Sequence, residues 1–262
     1  MPAHDTQSFY FSGQGVVMMA SRSEAGAPLG FLPIGNCPAL NISVATQNLE
    51  HRESSTGARG VDLRLVQEVS ASVNITMESI DQENLQIGLY GSSTAVAAKT
   101  TGSEVTVTIA AKLGHIYDLG HLNVSDATAV AGATPVVAGK NFVLNEAAGS
   151  IRFMTTAEQN EAEAADVLAE DTEVTFTFLH GAYNQLDALT EAQPERWLRF
   201  EGLNTARDNE PVIVDVFRFA ADPLQELALI TEELGAIAVE GSALADMTRA
   251  TGSRYFRMRS VR

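Results

Sequence analysis

Strict alternation of apolar and small polar residues in two long neighbouring segments constrains the fold of this chain most. In the first segment Leu40, Ile42 and Val44 alternate with Asn41, Ser43 and Ala45. In the second, alternation runs from Glu68 to Met77, at the end of a stretch that begins at Val61. Successive side chains of a strand point to opposite faces, so both segments predict strands with one apolar and one polar face. Residues 61–77 would span roughly 55 Å as a strand, whereas a usual strand has about five or six residues.

The predicted polar face carries small side chains and a single charge, and it includes no Lys or Arg. Its members are Asn41, Ser43, Glu68, Ser70, Ser72, Asn74 and Thr76. Such a face hydrates easily and suits the inner wall of a tube. The alternative is ordinary solvent-facing alternation in a monomer.

The segment between the two strands is predicted to be a charged loop, Asn48–Gly60. It contains Glu50, His51, Arg52, Glu53 and Arg59. Long loops without structure of their own are usually functional or disordered. Mixed charge of this kind suits contacts that must register in one orientation, and a solvated loop is the alternative.

A short helix is predicted directly after the second strand, over Ile80–Tyr90. Ser79 to Gln82 match a capping box, and Gly91 occupies the position of a C-cap glycine. Thr156–Gln159 match a second box inside the acidic stretch 155–171, which is interpreted as a surface helix or an insertion.

The remainder of the chain is read as a series of short strands, so the fold class is mostly β, a sandwich or a barrel. We treat residues 1–262 as one domain, with an N-terminal arm (1–14) and a turn at Gly13 and Gly15. The predicted strands include Leu227–Thr231 and Ala236–Glu240. Whether 103–190 form a separate lobe is left open.

The C-terminal residues 249–262 form a basic segment. Its arginines include Arg254, Arg257, Arg259 and Arg262. They either pair with acidic neighbours, as an inter-subunit segment, or form a mobile basic tail.

Composition excludes several classes of function. The formal net charge of -16 disfavours nucleic-acid binding, which depends on neutralising phosphates with Lys and Arg. The single cysteine, Cys37, excludes an internal disulfide framework and fits a reducing cytoplasm. The N-terminal residues do not resemble a signal peptide, and no run of 18 apolar residues predicts membrane insertion.

No catalytic or cofactor signature is recognisable, so an enzyme is not expected. His115, Asp118 and His121 are close in sequence, but no established metal-ligand spacing accompanies them. We therefore expect no metal, no cofactor and no catalytic residues.

The chain resembles the major tail tube proteins of long, non-contractile-tailed bacteriophages. The resemblance is carried by FSGQGVVMMASR (11–22), LPIGNCPALNISVATQNLEHRESSTG (32–57), VSASVNITMESIDQENLQIGLYG (69–91), LRFEGLNTARDNEPVIVDVFRF (198–219) and PLQELALITEELGAIAVEGSALAD (223–246). Residues 102–190 match poorly.

The resemblance implies a β-sandwich subunit with a flanking helix, assembled into hexameric rings that stack head-to-tail. It implies that the long hairpin forms an inner β-barrel and that residues 48–60 contact the next ring. The expected partners are further copies of the chain, the tape-measure protein, the tail tip and terminator proteins, and passing double-stranded DNA. The expected location is the virion, after assembly in the host cytoplasm.

Two other classes remain as alternatives. A capsid decoration protein would share the sandwich but would bind a preformed shell. A carbohydrate-binding sandwich would present exposed aromatic residues in a groove, whereas Trp197 is the single tryptophan.

Overall fold

The computed structural model describes residues 10–55, 57–232 and 234–261. From the N-terminus, the first elements are β1 (Gly13–Ser21), β2 (Leu32–Pro33), β3 (Ala39–Arg52), β4 (Val61–Met77), α1 (Gln82–Leu89), β5 (Ser92–Val96), β6 (Val105–Ala111), β7 (Ile116–Asp118), β8 (Val124–Ala131) and β9 (Thr134–Val136). They are followed by β10 (Phe142–Asn145), β11 (Ser150–Phe153), α2 (Thr156–Glu161), β12 (Thr172–His180), β13 (Tyr183–Asp187), β14 (Glu195–Asn204), β15 (Glu210–Ala221), β16 (Ile237–Ala243) and β17 (Phe256–Ser260).

The chain is mostly β, as predicted, and its several sheets are consistent with a β-sandwich. It divides into two compact units, one of residues 1–92 and 186–262 and one of residues 93–185. From the sequence alone, the chain is interpreted as one domain, with the question of a separate lobe over 103–190 left open.

The first unit is built on an antiparallel sheet with the strand order β2-β1-β14-β15-β16-β4-β3, in which β17 also pairs with β15. The alternation seen in the sequence produces its core, because every second residue is buried in β16 and in β4 from Ala71 to Met77. The core includes Val73, Ile75, Met77, Leu198, Phe219, Ile237 and Val239. Burying each of these large side chains contributes about 1.5–3 kcal/mol.

The second unit has its own core and its own sheets. Its strands pair as β6-β12-β8-β9 and as β10-β11-β7, and β13 pairs with β5. Phe142, Phe153, Phe176 and Phe178 are almost completely buried in its core. The rings of Phe142 and Phe176 meet edge to face, with centroids 5.2 Å apart.

Both helices are present, but each predicted cap is displaced. Helix α1 is capped by Asp81, whose carboxylate accepts from the Asn84 amide at 2.9 Å, and not by Ser79. Tyr90, not Gly91, takes the left-handed conformation at its C-terminus. The Ser79 carbonyl instead accepts a hydrogen bond from the Asn84 side chain.

The capping box of helix α2 lies one residue before the predicted box. Thr155 and Glu158 form the capping box, and hydrogen bonds from Arg152 lower the pKa of Glu158 to about 2. Gln159 is completely buried, where it donates to the Met154 carbonyl and accepts from Asn141 and from the Leu168 amide. The acidic stretch is therefore attached to the second unit by a buried polar contact.

Three further predictions on local structure are wrong. Gly13 and Gly15 lie inside β1 and not in a turn, because β14 passes so close to Gly15 that a Cβ would strike the Glu201 carbonyl. Residues 227–231 form no strand. The basic C-terminal segment contains a strand that was not predicted, β17. Of the predicted N-terminal arm, residues 1–9 lie outside the described part.

The third concerns the charged loop, which is shorter than the predicted Asn48–Gly60. Strand β3 continues to Arg52, since Leu49 pairs with Leu65 and Glu50 pairs with Arg64. Glu50, His51 and Arg52 are therefore strand residues, while Glu53 and Arg59 flank the actual turn.

Candidate functional site

The long hairpin of β3 and β4 has two chemically different faces where it covers the core. Ala71, Val73, Ile75 and Met77 are buried on one face. Residues of β3 alternate in the same way as the β4 residues with which they pair. Ser43, for example, pairs with Ser72 on the opposite, polar face.

The seven residues predicted for the polar face share that opposite face. Asn41 pairs with Asn74 and Ser43 with Ser72; Asn41, Ser43, Glu68, Ser70 and Ser72 are exposed, while Asn74 and Thr76 are half-buried. None lies between sheets in the apolar core. Whether this face lines a bore stays a prediction.

Sequence reasoning missed the part of this face that β16 contributes. Ala238, Glu240 and Ser242 are exposed and pair with Thr76, Asn74 and Ser72. The Asn74 side chain donates to Glu240 Oε1 at 2.8 Å. The alternation of residues 237–243 was visible in the sequence, but the pairing that brings it beside β4 was not. Ala45 and Gln47, opposite Ser70 and Glu68, complete the surface on β3.

We call this three-stranded surface the polar face. It comprises Asn41, Ser43, Ala45, Gln47, Glu68, Ser70, Ser72, Asn74, Thr76, Ala238, Glu240 and Ser242. Its charged members, Glu68 and Glu240, are both acidic. The face therefore repels polyanions weakly and offers them no guanidinium or ammonium group to bind.

Beyond the core, the hairpin extends as an arm in which every residue from Val61 to Ser70 is exposed. Gln47 pairs with Glu68 and the next residue, Asn48, pairs with Val66, so Gln67 is an extra residue on β4. This β-bulge shifts the register of the hairpin. An extra residue on one strand inverts which side chains share a face. Leu49 and Leu65 pair there, and both are half-exposed. Exposed leucines on an unsupported arm are typical of a surface that another chain covers.

The predicted stacking residues lie at the far end of this arm. His51 Nδ1 and Asp62 Oδ1 are 2.6 Å apart, and Arg52 reaches the Arg59 carbonyl at 3.5 Å. Ser55 donates to the Glu53 carboxylate through its amide and its hydroxyl, both at 2.8 Å. These contacts shape the turn from within. A stacking role stays a prediction.

Two arginines of the basic C-terminal segment are fixed within the chain. Arg257 and Arg259 lie on β17 and contact the same oxygen of Asp215, at 3.1 and 3.0 Å, while Arg199 Nε binds the other oxygen at 2.7 Å. Asp215 is completely buried. Burial raises the pKa of its carboxyl, but hydrogen bonds from Arg199 and Arg257 outweigh burial, so the pKa lies below its ordinary value.

This arrangement contradicts a mobile tail for Arg257 and Arg259. The Arg254 guanidinium meets the sulfur of Met247 at 3.6 Å, and Arg262 lies outside the described residues. An additional inter-subunit role for the segment stays a prediction.

His121 belongs to a ring stack that the sequence did not reveal. Its imidazole lies parallel to that of His180, with centroids 4.1 Å apart, and its Nδ1 is 3.0 Å from the Tyr183 hydroxyl. Burial lowers the pKa of His121, and the nearby His180 lowers it further. Within the described ranges, no group of three or more His, Cys, Asp or Glu could hold a metal ion.

No helix in the described part of the chain is long and apolar enough to cross a membrane. Comparison with known families gives one finding: the model of a family described as "Protein of unknown function UCP028589" matches residues 10–259. No curated protein matches the chain.

Proposed function

We propose a structural role for this chain, which belongs to the family of unknown function that matches it: it is the tube-forming subunit of a long, non-contractile bacteriophage tail. In this proposal six copies close into a ring and the rings stack head-to-tail. The polar face lines the bore through which double-stranded DNA passes. The protein acts by geometry and electrostatics, and it is not an enzyme.

The observation that carries the proposal is the hairpin of β3 and β4. Over the core it presents a polar face whose charged residues are acidic. Beyond the core it projects an arm about ten residues long, roughly 33 Å, with exposed leucines. A free-standing monomer gains nothing from such an arm, because isolated two-stranded hairpins are marginally stable.

Charge supports the same role. A polymer that must let DNA slide cannot hold its phosphates, and neutralising phosphates with Lys or Arg is what makes proteins bind DNA. The net charge of -16 and the composition of the polar face both prevent that binding. In the assembled tail, the tape-measure, tip and terminator proteins would be the other partners, and the charged turn at Glu53–Arg59 would contact the next ring.

Electron microscopy of the purified, concentrated protein tests the proposal. Hollow tubes with a regular axial repeat are the expected result, formed alone or after addition of tail tips as initiators. Protein that stays monomeric with tips but coats empty capsids would replace the tail-tube role with that of a decoration protein.

A further inference from the structure

The residues after β15 include a segment whose sequence and structure disagree. Residues 226–232, with the sequence ELALITE, have the composition of a strand. In the structure they lie outside every helix and strand. Leu229 is 85% exposed and Ile230 is 97% exposed. Leu227 packs partly against the core, whereas residues 228–232 are exposed. Strand-forming aliphatic residues held in water indicate that their pairing partner lies on another molecule.

An unpaired strand edge of the right size lies elsewhere in the same unit. Among the described strands, β17 pairs with β15 alone, which leaves its other edge open. Native proteins rarely leave such an edge uncovered, because its free amide and carbonyl groups invite pairing.

The two sides of β17 differ chemically. Phe256 and Met258 line an open cleft of about 840 Å³, together with Phe200, Val214 and, from β3, Leu40 and Ile42. Arg257 and Arg259 occupy the alternate positions and share one oxygen of Asp215. Both arginine side chains remain half-exposed, so each keeps donors for a second carboxylate.

Residues 226–232 complement both sides. If they are extended, Leu229 faces one side while Ile230 and Glu232 face the other. Leu229 then meets the apolar cleft, and Glu232 meets the arginines. Neither Glu226 nor Glu232 forms an ion pair within the described part of the chain.

We infer that residues 226–232 of one copy add as a strand to the open edge of β17 in a second copy. The contact joins two different surfaces of the same chain, so it is heterologous and propagates around a ring. It rests on the proposed function only in identifying that second copy as the neighbour within a ring.

A single exposed substitution tests the contact without disturbing the monomer. Leu229→Asp would place a carboxylate in the apolar cleft, and Leu229 is exposed in the monomer. It is expected to raise the dissociation constant of self-association about tenfold or more, measured by analytical ultracentrifugation, at an unchanged melting temperature. Leu189→Asp is the matched control, since Leu189 is 76% exposed in the same unit and should leave association unchanged. Equal association of both variants and the original chain would overturn the inference.

Cross-linking tests the pairing itself. In a Cys37→Ser background, Ala228→Cys with Ser260→Cys should give a ladder of covalent oligomers with a short bismaleimide reagent. Replacing Ser260→Cys by Ser125→Cys, on the second unit, should give none. Cross-linking confined to single chains, or equal ladders from both pairs, would contradict strand addition between copies.

The two proposals fail differently. Rings or short oligomers that depend on Leu229 but never stack into tubes would refute the tail tube and leave strand addition intact. Tubes that form equally well with Leu229→Asp would refute strand addition and leave the tube intact. An original chain that stays monomeric at all concentrations and with tail tips would overturn both.

Discussion

At the scale of single residues, Asp215 is the clearest case of a charge that the fold needs. Three guanidinium groups contact its completely buried carboxylate. Asp215→Asn keeps the shape but removes the charge, so we expect the free energy of unfolding to fall by about 2–3 kcal/mol. That figure is below the cost of breaking a fully buried pair, because the arginines retain water. Urea denaturation at pH 7 measures it.

Glu201→Gln is the matched control for that experiment. Glu201 also contacts Arg199, at 3.4 Å, but it is 47% exposed, so its loss should cost less than about 0.5 kcal/mol. The pKa of Asp215 is below its ordinary value; its contribution is therefore complete above about pH 4 and is lost as the pH falls further. An equal effect of both substitutions would refute the special role of Asp215.

His121 predicts a second pH dependence, confined to the second unit. Burial and the stacked His180 lower its pKa, Lys99 lowers it as well, and Asp118 opposes them. A histidine whose pKa is lowered on folding binds more protons when unfolded. Its stabilising effect is therefore full above about pH 6.5 and is lost as the pH falls through and below that value. The protection factors of β12 amides, corrected for the pH dependence of intrinsic exchange, should therefore fall between pH 7 and 5.

His121→Phe retains an aromatic ring but cannot be protonated, so it should flatten this pH dependence. His115→Phe is the control, because the His115 side chain is exposed and its Nδ1 lies 3.2 Å from the Leu113 carbonyl, outside the ring stack. A pH profile that is the same in His121→Phe and in the original chain would contradict the role of the ring stack.

At the scale of elements, the pairing of β1 with β14 depends on glycine. A Cβ at Gly15 would overlap the Glu201 carbonyl and the Gly202 Cα. Backbone cannot move aside as a flexible side chain can, so Gly15→Ala should destabilise the first unit by about 1–3 kcal/mol. Gly60→Ala, where nothing lies within 4 Å, should be neutral or slightly stabilising. Thermal unfolding of both variants measures the difference, and equal melting temperatures would contradict it.

The strands that the sequence predicted well are those whose burial alternates along the chain. Strand β4 runs from Val61 to Met77 as predicted, because its alternating residues decide which face the core covers. The wrong predictions concern residues whose structure depends on a partner that is distant in sequence. Gly15 looks like a turn residue until β14 lies against it, and residues 227–231 look like a strand until no neighbouring strand pairs with them.

In the candidate site, too, the residues placed by alternation were predicted, and the residues placed by pairing between strands were missed. The seven predicted polar-face residues share one face, since alternation alone places them there. Glu240 was missed because only the pairing of β16 with β4 brings it to Asn74. Asp215 was missed because its three arginine partners lie on two other strands, β14 and β17, whose pairing with β15 brings them together.

At the scale of the whole molecule, two separate cores predict two unfolding transitions. Phe176 is completely buried in the core of the second unit, and Ile75 in that of the first. Phe176→Ala should destabilise residues 93–185 by about 3–5 kcal/mol while hydrogen exchange in β4 and β16 stays unchanged. Ile75→Ala should do the reverse. Loss of protection throughout the chain in either variant would show that the units unfold together.

The proposed function makes its sharpest demand on charge, because a bore must conduct DNA without holding it. Glu68→Lys with Glu240→Lys changes the charge of the polar face by +4 per subunit, and sixfold repetition multiplies that change around each ring. Tubes should form normally, since Glu68 and Glu240 are exposed, but phage carrying them should eject DNA slowly, most of all at low salt. Single-particle fluorescence of ejected DNA measures the rate.

Glu146→Lys with Glu161→Lys adds the same charge to the second unit and should leave ejection unchanged. If both pairs slow ejection equally, total charge would be the cause, and the polar face would lose its assignment to the bore.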